Sequence, residues 1–251
     1  MLLAVDVGNT SLTVGAFAGD RLVRIARIGT DPRRSARSYA RALAGAWRGL
    51  RAPGAAVYGS VVPPLDRTLE GAVRAAFGLR AERVGPRSPL GLRYAVRAPN
   101  QVGADRVLNA VALKALYGGP AIAVDFGTAT TFDCLDASGA YAGGAILPGP
   151  DLAARSLHEH TAQLPLVAMR RPRRAVGRDT VECLQAGLYF GYLGMIREVL
   201  ARTKAELGGR PPVVATGGLA PLFLKELPGV RSAPDLTLRG LRLAHQILHN
   251  G

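Results

Sequence analysis

Cysteine is scarce in this chain: Cys134 and Cys183 are the only two, and no C-x-x-C pair occurs. At most one intramolecular bridge could form, which excludes a disulfide framework and a zinc ribbon. Long apolar runs are missing as well. The longest uncharged apolar stretch of helical character, Ala186 to Ile196, falls well short of the roughly 20 residues a membrane span requires. The opening Met1-Leu2-Leu3-Ala4-Val5-Asp6 has no basic lead-in and its apolar run stops at an acid, so no secretory signal is expected. A folded cytoplasmic protein with no membrane association is the expectation. Aromatic residues make up only 6%, too few for a base-stacking surface. Lysine is nearly absent: Lys114, Lys204 and Lys225 stand among 32 basic residues.

What is present has a globular composition. A hydrophobic share of 48% and a charged share of 20% exclude disorder as a description of the whole chain. A length of 251 residues suffices for one large domain or two modest ones. The net charge of +14 rests on arginines scattered along the chain, apart from Arg33-Arg34 and the stretch Arg170-Arg171-Pro172-Arg173-Arg174. No binding module accompanies that charge, so nucleic acid is not an expected partner; the field would serve to attract a small anion. Of four histidines, His158-x-His160 and His245-x-x-x-His249 could each chelate a metal, the second at one-turn helical spacing. Without an H-E-x-x-H frame or a cysteine companion, surface histidines are the plainer expectation.

The first thirty residues read as strand, turn, strand, turn, strand: Leu2 to Val7, Leu12 to Phe17 and Leu22 to Ile28, separated by Gly8-Asn9-Thr10 and Gly19-Asp20. Helical spacing follows at Ser38 to Trp47 and Leu65 to Phe77, with a strand over Ala55 to Val62, and a helix from Gln101 to Tyr117 stops at Gly118-Gly119-Pro120. The opening pattern then returns. Ala121 to Asp125 is again an apolar strand ending in aspartate, followed by Phe126-Gly127-Thr128, a return strand Thr130 to Leu135, and a further strand Tyr141 to Leu147. The repeat predicts two α/β domains, 1–118 and 119–251, facing each other across a cleft. In the second, a long helix over Thr180 to Leu207 takes Asp179 or Thr180 as its N-cap, with Val181, Leu184, Leu188, Met195 and Val199 as its core face. Gly187, Gly191 and Gly194 on that helix suit close approach of another helix, within the fold or across a dimer. A strand at Val213 to Ala215 leads into Thr216-Gly217-Gly218, and a last helix covers Leu236 to Leu248.

A strand ending in Asp-x-Gly and running into a hairpin suits phosphate. Gly8 allows a sharp turn and close backbone approach, and the N–H groups around Asn9, Thr10 and Ser11 can cradle phosphate oxygens. Asp6 at the strand end would hold hydrated Mg²⁺. The second copy, Asp125-Phe126-Gly127-Thr128 with Thr130 and Thr131, gives a pair of acid-glycine-hydroxyl hairpins. This arrangement resembles the actin- and hexokinase-like (ribonuclease H-like) ATP binders, with Thr216-Gly217-Gly218-Leu219-Ala220 as the turn bordering the adenosine.

Five motifs in order narrow the resemblance: Asp6-Val7-Gly8-Asn9-Thr10, Gly103-Ala104-Asp105-Arg106, Asp125-Phe126-Gly127-Thr128-Ala129-Thr130-Thr131, Gly143-Gly144-Ala145-Ile146-Leu147-Pro148-Gly149 and Gly177-Arg178-Asp179-Thr180. Together they resemble the bacterial type III pantothenate kinase family. The resemblance implies ATP-dependent phosphorylation of pantothenate to 4'-phosphopantothenate, the first step of coenzyme A synthesis, in a homodimer that needs Mg²⁺ and a monovalent cation, K⁺ or NH₄⁺. By position it implies Asp105 as the general base. ATP would be bound by Asp6, Val7, Gly8, Asn9, Thr10, Ser11, Leu12, Thr13 and Thr128. Asp125 would ligate the monovalent cation. Tyr94, Gly103, Ala104, Asp105 and Arg106 would line the pantothenate pocket, with Thr180 supplied by a partner subunit. One position departs from the family pattern, Ala98-Pro99 standing where Asn-Pro is common.

The chemistry is consistent with these residue types. An acceptor alcohol must be positioned and relieved of its proton, which a carboxylate within hydrogen-bond reach can do. A planar guanidinium such as that of Arg106 can grip the carboxylate of pantothenate bidentately. Read by themselves, Asp105 and Arg106 would be a helix cap and a surface charge; the accompanying motifs reverse that reading. No lysine precedes residue 114, so charge on the transferring phosphoryl must be met by cations, backbone dipoles and arginine. Two rival readings share the fold: a kinase of a sugar or carboxylate acceptor, and a non-catalytic ATP-binding accessory of transcription.

Overall fold

The computed structural model describes residues 1–250. The chain divides into two compact units, Met1–Ala115 together with the chain from Asp235 onward, and Leu116–Pro234.

The first unit is built on a five-stranded sheet. β1 (Leu2–Val7), β2 (Ser11–Ala18) and β3 (Arg21–Gly29) form an antiparallel meander; β4 (Ala55–Ser60) and β5 (Ala81–Val84) add in parallel, giving the order β3-β2-β1-β4-β5. β1 is the central strand, which explains its almost continuous apolar sequence. Leu3, Val5 and Val7 point to one face, where α1 (Ala36–Ala46) and α2 (Asp66–Phe77) supply Tyr39, Leu43, Leu69 and Val73. Leu2 and Ala4 point to the other, which α3 (Ala104–Tyr117) and the C-terminal helix cover with Val107, Leu108, Leu238 and Leu241. Period-two alternation therefore sends Asp6 to the α3 side.

The second unit repeats that plan. β6 (Ala121–Phe126) pairs antiparallel with β7 (Ala129–Leu135), which pairs with β8 (Tyr141–Gly143) and β9 (Ile146–Pro148); β10 (Val213–Thr216) and β11 (Val230–Ser232) add in parallel. The order β8-β7-β6-β10-β11 matches β3-β2-β1-β4-β5 strand for strand, so the duplication read in the sequence is a duplication of topology. α4 (Pro150–Glu159) follows β9, while α5 (Thr180–Leu207) and the short α6 (Ala220–Leu224) pack on the sheet face formed by Ile122, Val124, Phe126 and Phe132.

Several sequence expectations are corrected. The strand expected over Tyr141 to Leu147 breaks at Gly143 (φ 94°) and Gly144 (φ 151°), conformations open to glycine. The helix expected from Gln101 begins at Ala104, because Pro99–Gln101 form a separate 3₁₀ turn. The last helix, α7 (Leu236–Asn250), was expected in the second domain. It packs instead on β1, β2 and β4 of the first unit. On the same sheet face Gly240 lets α7 lie close against α3, since a Cβ there would collide with the carbonyl of Leu108.

The core face of α5 is corrected as well. The buried residues are Gln185, Ala186, Tyr189, Tyr192, Leu193, Ile196 and Leu200. Most of the expected stripe lies elsewhere on the helix: Val181 is 38% exposed and Met195 41%, and Leu184 and Leu188 are half-buried, whereas Val199 packs against the core as expected. α5 is apolar on two faces, and period alone does not say which is covered. The aromatic face wins because its rings pack on Phe126 and Phe223: Tyr189 stacks on Phe223 at 5.3 Å between centroids, and Tyr192 meets Phe223 at 4.9 Å and Phe126 at 6.3 Å in tilted pairs.

Candidate active site

The first acidic bend joins β1 to β2. Gly8 donates its N–H to the Ser11 carbonyl at 3.1 Å, and Thr30 braces the bend by donating its hydroxyl to the Gly8 carbonyl at 2.7 Å and its N–H to the Thr10 carbonyl at 3.0 Å. Thr30 carried no signal in the sequence, because its partners lie across the sheet. Asn9 and Thr10 are exposed at the tip, whereas Asp6, Ser11 and Thr13 are half-buried. Val7 and Leu12 are fully buried core residues, so they can serve a ligand only through their backbone.

Asp105 lies in the first turn of α3 and is half-buried, as is Arg106. Its Oδ1 accepts the Arg106 backbone N–H at 2.8 Å. A Cβ on Gly103 would sit 2.5 Å from that same oxygen, so the glycine of the Gly-Ala-Asp-Arg motif is what lets the carboxylate fold back. Burial raises the pKa of Asp105, against the opposing pull of the Arg106 N–H and guanidinium. Ala104 is buried and offers only backbone. Tyr94 packs in the same cluster as Val102 and Val107 on either side of the motif; its hydroxyl donates to the Pro86 carbonyl at 3.3 Å, and burial raises its pKa.

Asp6 and the Asp105 turn share one face of the first sheet. Asp6 registers with Gly59 of β4, and a Cβ on Gly59 would lie 3.6 Å from that of Ala104. The glycine thus removes bulk between the first acidic bend and the start of α3.

The second bend joins β6 to β7. Asp125 registers with Thr131 and with Thr216, just as Asp6 registers with Thr13 and Gly59. Gly217, at φ 90°, makes the turn after β10, and a Cβ there would sit 2.6 Å from Asp125 Oδ1 and 2.6 Å from the Phe126 backbone. The late Thr-Gly-Gly turn is therefore folded against the acid. Gly149, at the start of α4, approaches equally closely: its N–H donates to the Thr128 carbonyl at 3.0 Å, and a Cβ would collide with that oxygen. Of the hydroxyls in this bend, Thr130 is fully buried and bonded to the Tyr192 hydroxyl of α5, so it holds helix to sheet. Thr131 contacts Asp133 Oδ2 at 3.4 Å, and the Asp133 Oδ1 accepts from Tyr141 at 3.2 Å.

The Gly177-Arg178-Asp179-Thr180 motif is the N-terminus of α5. Asp179 is the N-cap, accepting the Glu182 N–H at 2.8 Å, while Glu182 accepts the Arg178 N–H at 2.9 Å, a reciprocal pairing in the manner of a capping box. Gly177 is needed there because a Cβ would strike the Cys183 N–H. Thr180 stands exposed in the first turn.

Two sheets of the same strand order, each carrying an acid-ended bend, define a sugar-kinase and actin-like ATPase fold. Solved structures agree. The chain aligns over 99% of its length with all of a structure described as a conserved putative Baf family transcriptional activator from Campylobacter jejuni, at TM-score 0.62 and 15% identity. It aligns equally fully, 99% of each chain, with a putative 2-dehydro-3-deoxygalactonokinase from Sinorhizobium meliloti, at TM-score 0.61 and 14% identity. Sequence comparison is more specific. Residues 2–202 match the model of the type III pantothenate kinases, and a type III pantothenate kinase of Moorella thermoacetica is 43% identical over 98% of this chain and 99% of its own. The chain belongs to the type III pantothenate kinase family. Among the described residues, no helix is long and apolar enough to cross a membrane.

Proposed function

We propose that this protein transfers the γ-phosphoryl group of ATP to the primary hydroxyl of pantothenate, the first step of coenzyme A synthesis, with Asp105 as the general base. Membership of the family supplies the reaction. The observation that carries the base assignment is a carboxylate with a raised pKa, at the start of α3, on the sheet face to which Asp6 points. A base is most effective when its pKa is moved toward the working pH. The pantothenate hydroxyl gives its proton to the Asp105 carboxylate as its oxygen bonds to the γ-phosphorus, and ADP leaves with the electrons of the broken P–O bond. Arg106 and Tyr94 orient the acceptor, the guanidinium pairing with the pantothenate carboxylate.

In the first unit, the backbone N–H groups from Gly8 to Ser11 are suited to cradle phosphate oxygens of ATP; in the second, Thr128 is the proposed ATP contact. Asp6, half-buried at the end of β1 and opposite Thr13 of β2, offers a carboxylate suited to hydrated Mg²⁺. When bound, Mg²⁺ neutralises charge on the phosphates. Asp125 suits K⁺ or NH₄⁺, since the missing Cβ of Gly217 leaves room beside its Oδ1. With lysine absent from both bends, such a cation makes up charge that a phosphate-loop lysine would otherwise provide.

The protein works as a homodimer in the cytoplasm. Its contact surface is the uncovered face of α5, where Gly187 and Gly191 flank a groove of about 570 Å³ lined by Ala153, Leu157, Leu184, Leu188 and Met195. Thr180 lies at the end of the same groove, so a dimer formed there supplies it across the interface.

ADP release coupled to a reporter, with ATP, Mg²⁺ and K⁺, tests the whole reading. Pantothenate should stimulate release, and glucose and acetate should not. Stimulation by either of those, or by none of the three, would refute it.

A further inference from the structure

We infer that Glu82, His245 and His249 form a binding site for a transition-metal dication of the Zn²⁺ type, separate from the nucleotide-site cations and fastening the C-terminal helix to the edge of the first sheet. Glu82 lies on β5, the edge strand, and the two histidines are one turn apart on α7. Three ligand atoms converge. Glu82 Oε2 is 3.3 Å from His245 Nδ1 and 3.0 Å from His249 Nε2, and all three atoms lie within 4.8 Å of one another. A tetrahedral Zn²⁺ with bonds of about 2.0–2.1 Å separates its ligands by about 3.3 Å, so two of the three edges are already at coordination length. The imidazoles, 4.4 Å apart between centroids, close the third by a small rotation.

The ligand types choose the metal. Two imidazole nitrogens and one carboxylate oxygen suit Zn²⁺, Co²⁺ or Ni²⁺, whereas Mg²⁺ prefers oxygen. Coordination uses the lone pairs of His245 Nδ1 and His249 Nε2, so each ring carries its proton on the other nitrogen, Nε2 of His245 and Nδ1 of His249. Three protein ligands leave a fourth position for water. The site joins residues more than 160 positions apart. By holding α7 on the sheet that contains β1, it stabilises the unit that carries Asp6 and Asp105. His158 offers no comparable site, because its Nδ1 is engaged with the Leu164 carbonyl at 2.8 Å.

The test uses tag-free, chelator-treated full-length protein titrated with ZnCl₂, followed by calorimetry and by thermal unfolding. One Zn²⁺ should bind per chain and raise Tm, an equal concentration of MgCl₂ should not, and Co²⁺ should give the intense d–d absorption of a tetrahedral site. H249A, at an exposed position, and the near-isosteric E82Q should each weaken Zn²⁺ binding by at least about tenfold while kinase activity without Zn²⁺ is retained. An H158A/H160A double variant should bind as the parent does. The inference is overturned if Zn²⁺ does not bind at micromolar concentration, if binding survives both H249A and E82Q, or if it is lost in H158A/H160A.

Discussion

Replacing Asp105 by asparagine isolates the charge of the proposed base from its shape. The amide side chain keeps an oxygen where Asp105 Oδ1 accepts the Arg106 N–H at 2.8 Å, so the first turn of α3 should be preserved. What is lost is the proton acceptor. Loss of a general base lowers kcat by about 10²–10⁴-fold, or about 3–5 kcal/mol of transition-state stabilisation, while the KM for ATP should change little. Stability should move the other way. Burial raises the folded-state pKa of Asp105 above its unfolded value of about 3.9. Its favourable contribution is complete below the unfolded value and is lost as pH rises through the folded one. At neutral pH the ionised group is therefore a burden that a neutral amide relieves, so D105N should unfold at the same or a higher temperature than the parent at pH 7. That advantage should vanish near pH 3. Coupled ADP-release kinetics and calorimetric unfolding at several pH values read both quantities. The parent's kcat/KM should fall on the acid side with a midpoint above about 3.9, a limb that D105N lacks. A D105N enzyme of near-normal kcat would refute the assignment, and a lowered Tm at pH 7 would refute the electrostatic account of its burial.

Three further outcomes are expected. D125A should weaken activation by K⁺ and raise the KM for ATP; an unchanged K⁺ dependence of the rate would remove Asp125 from that role. D179A deletes the cap that accepts the Glu182 N–H, and should cost about 1 kcal/mol, seen as a Tm lower by about 2–4 °C; an unchanged Tm would show that Glu182 and water suffice. M195E places a charge in the groove on α5, where Met195 is 41% exposed. Light scattering behind size exclusion should then report a monomer where the parent is a dimer, and equal masses for the two proteins would refute the interface.

The acidic bends were legible in the sequence because their determinants are local. An apolar strand, an Asp-x-Gly turn and a return strand lie within a short span of chain, and their second copy from Ala121 announced the shared topology that the sheets display. The Gly103 to Arg106 and Gly177 to Thr180 motifs were legible for the same reason, although only the fold shows that Gly103 makes room for Asp105 and that Asp179, rather than Thr180, caps α5. Tertiary structure decided whatever depended on choosing between equivalent local options. α5 has two apolar faces, and aromatic packing against Phe126 and Phe223 selected the one that carries Tyr189 and Tyr192. α7 has one apolar face and two sheets it could have covered, and close contact between Gly240 and Leu108 accompanies its return to the first unit. That return also brings His245 and His249 to Glu82. A single stretch of sequence cannot encode such a pairing, because the free energy that joins residues so far apart comes from the packing of everything between them.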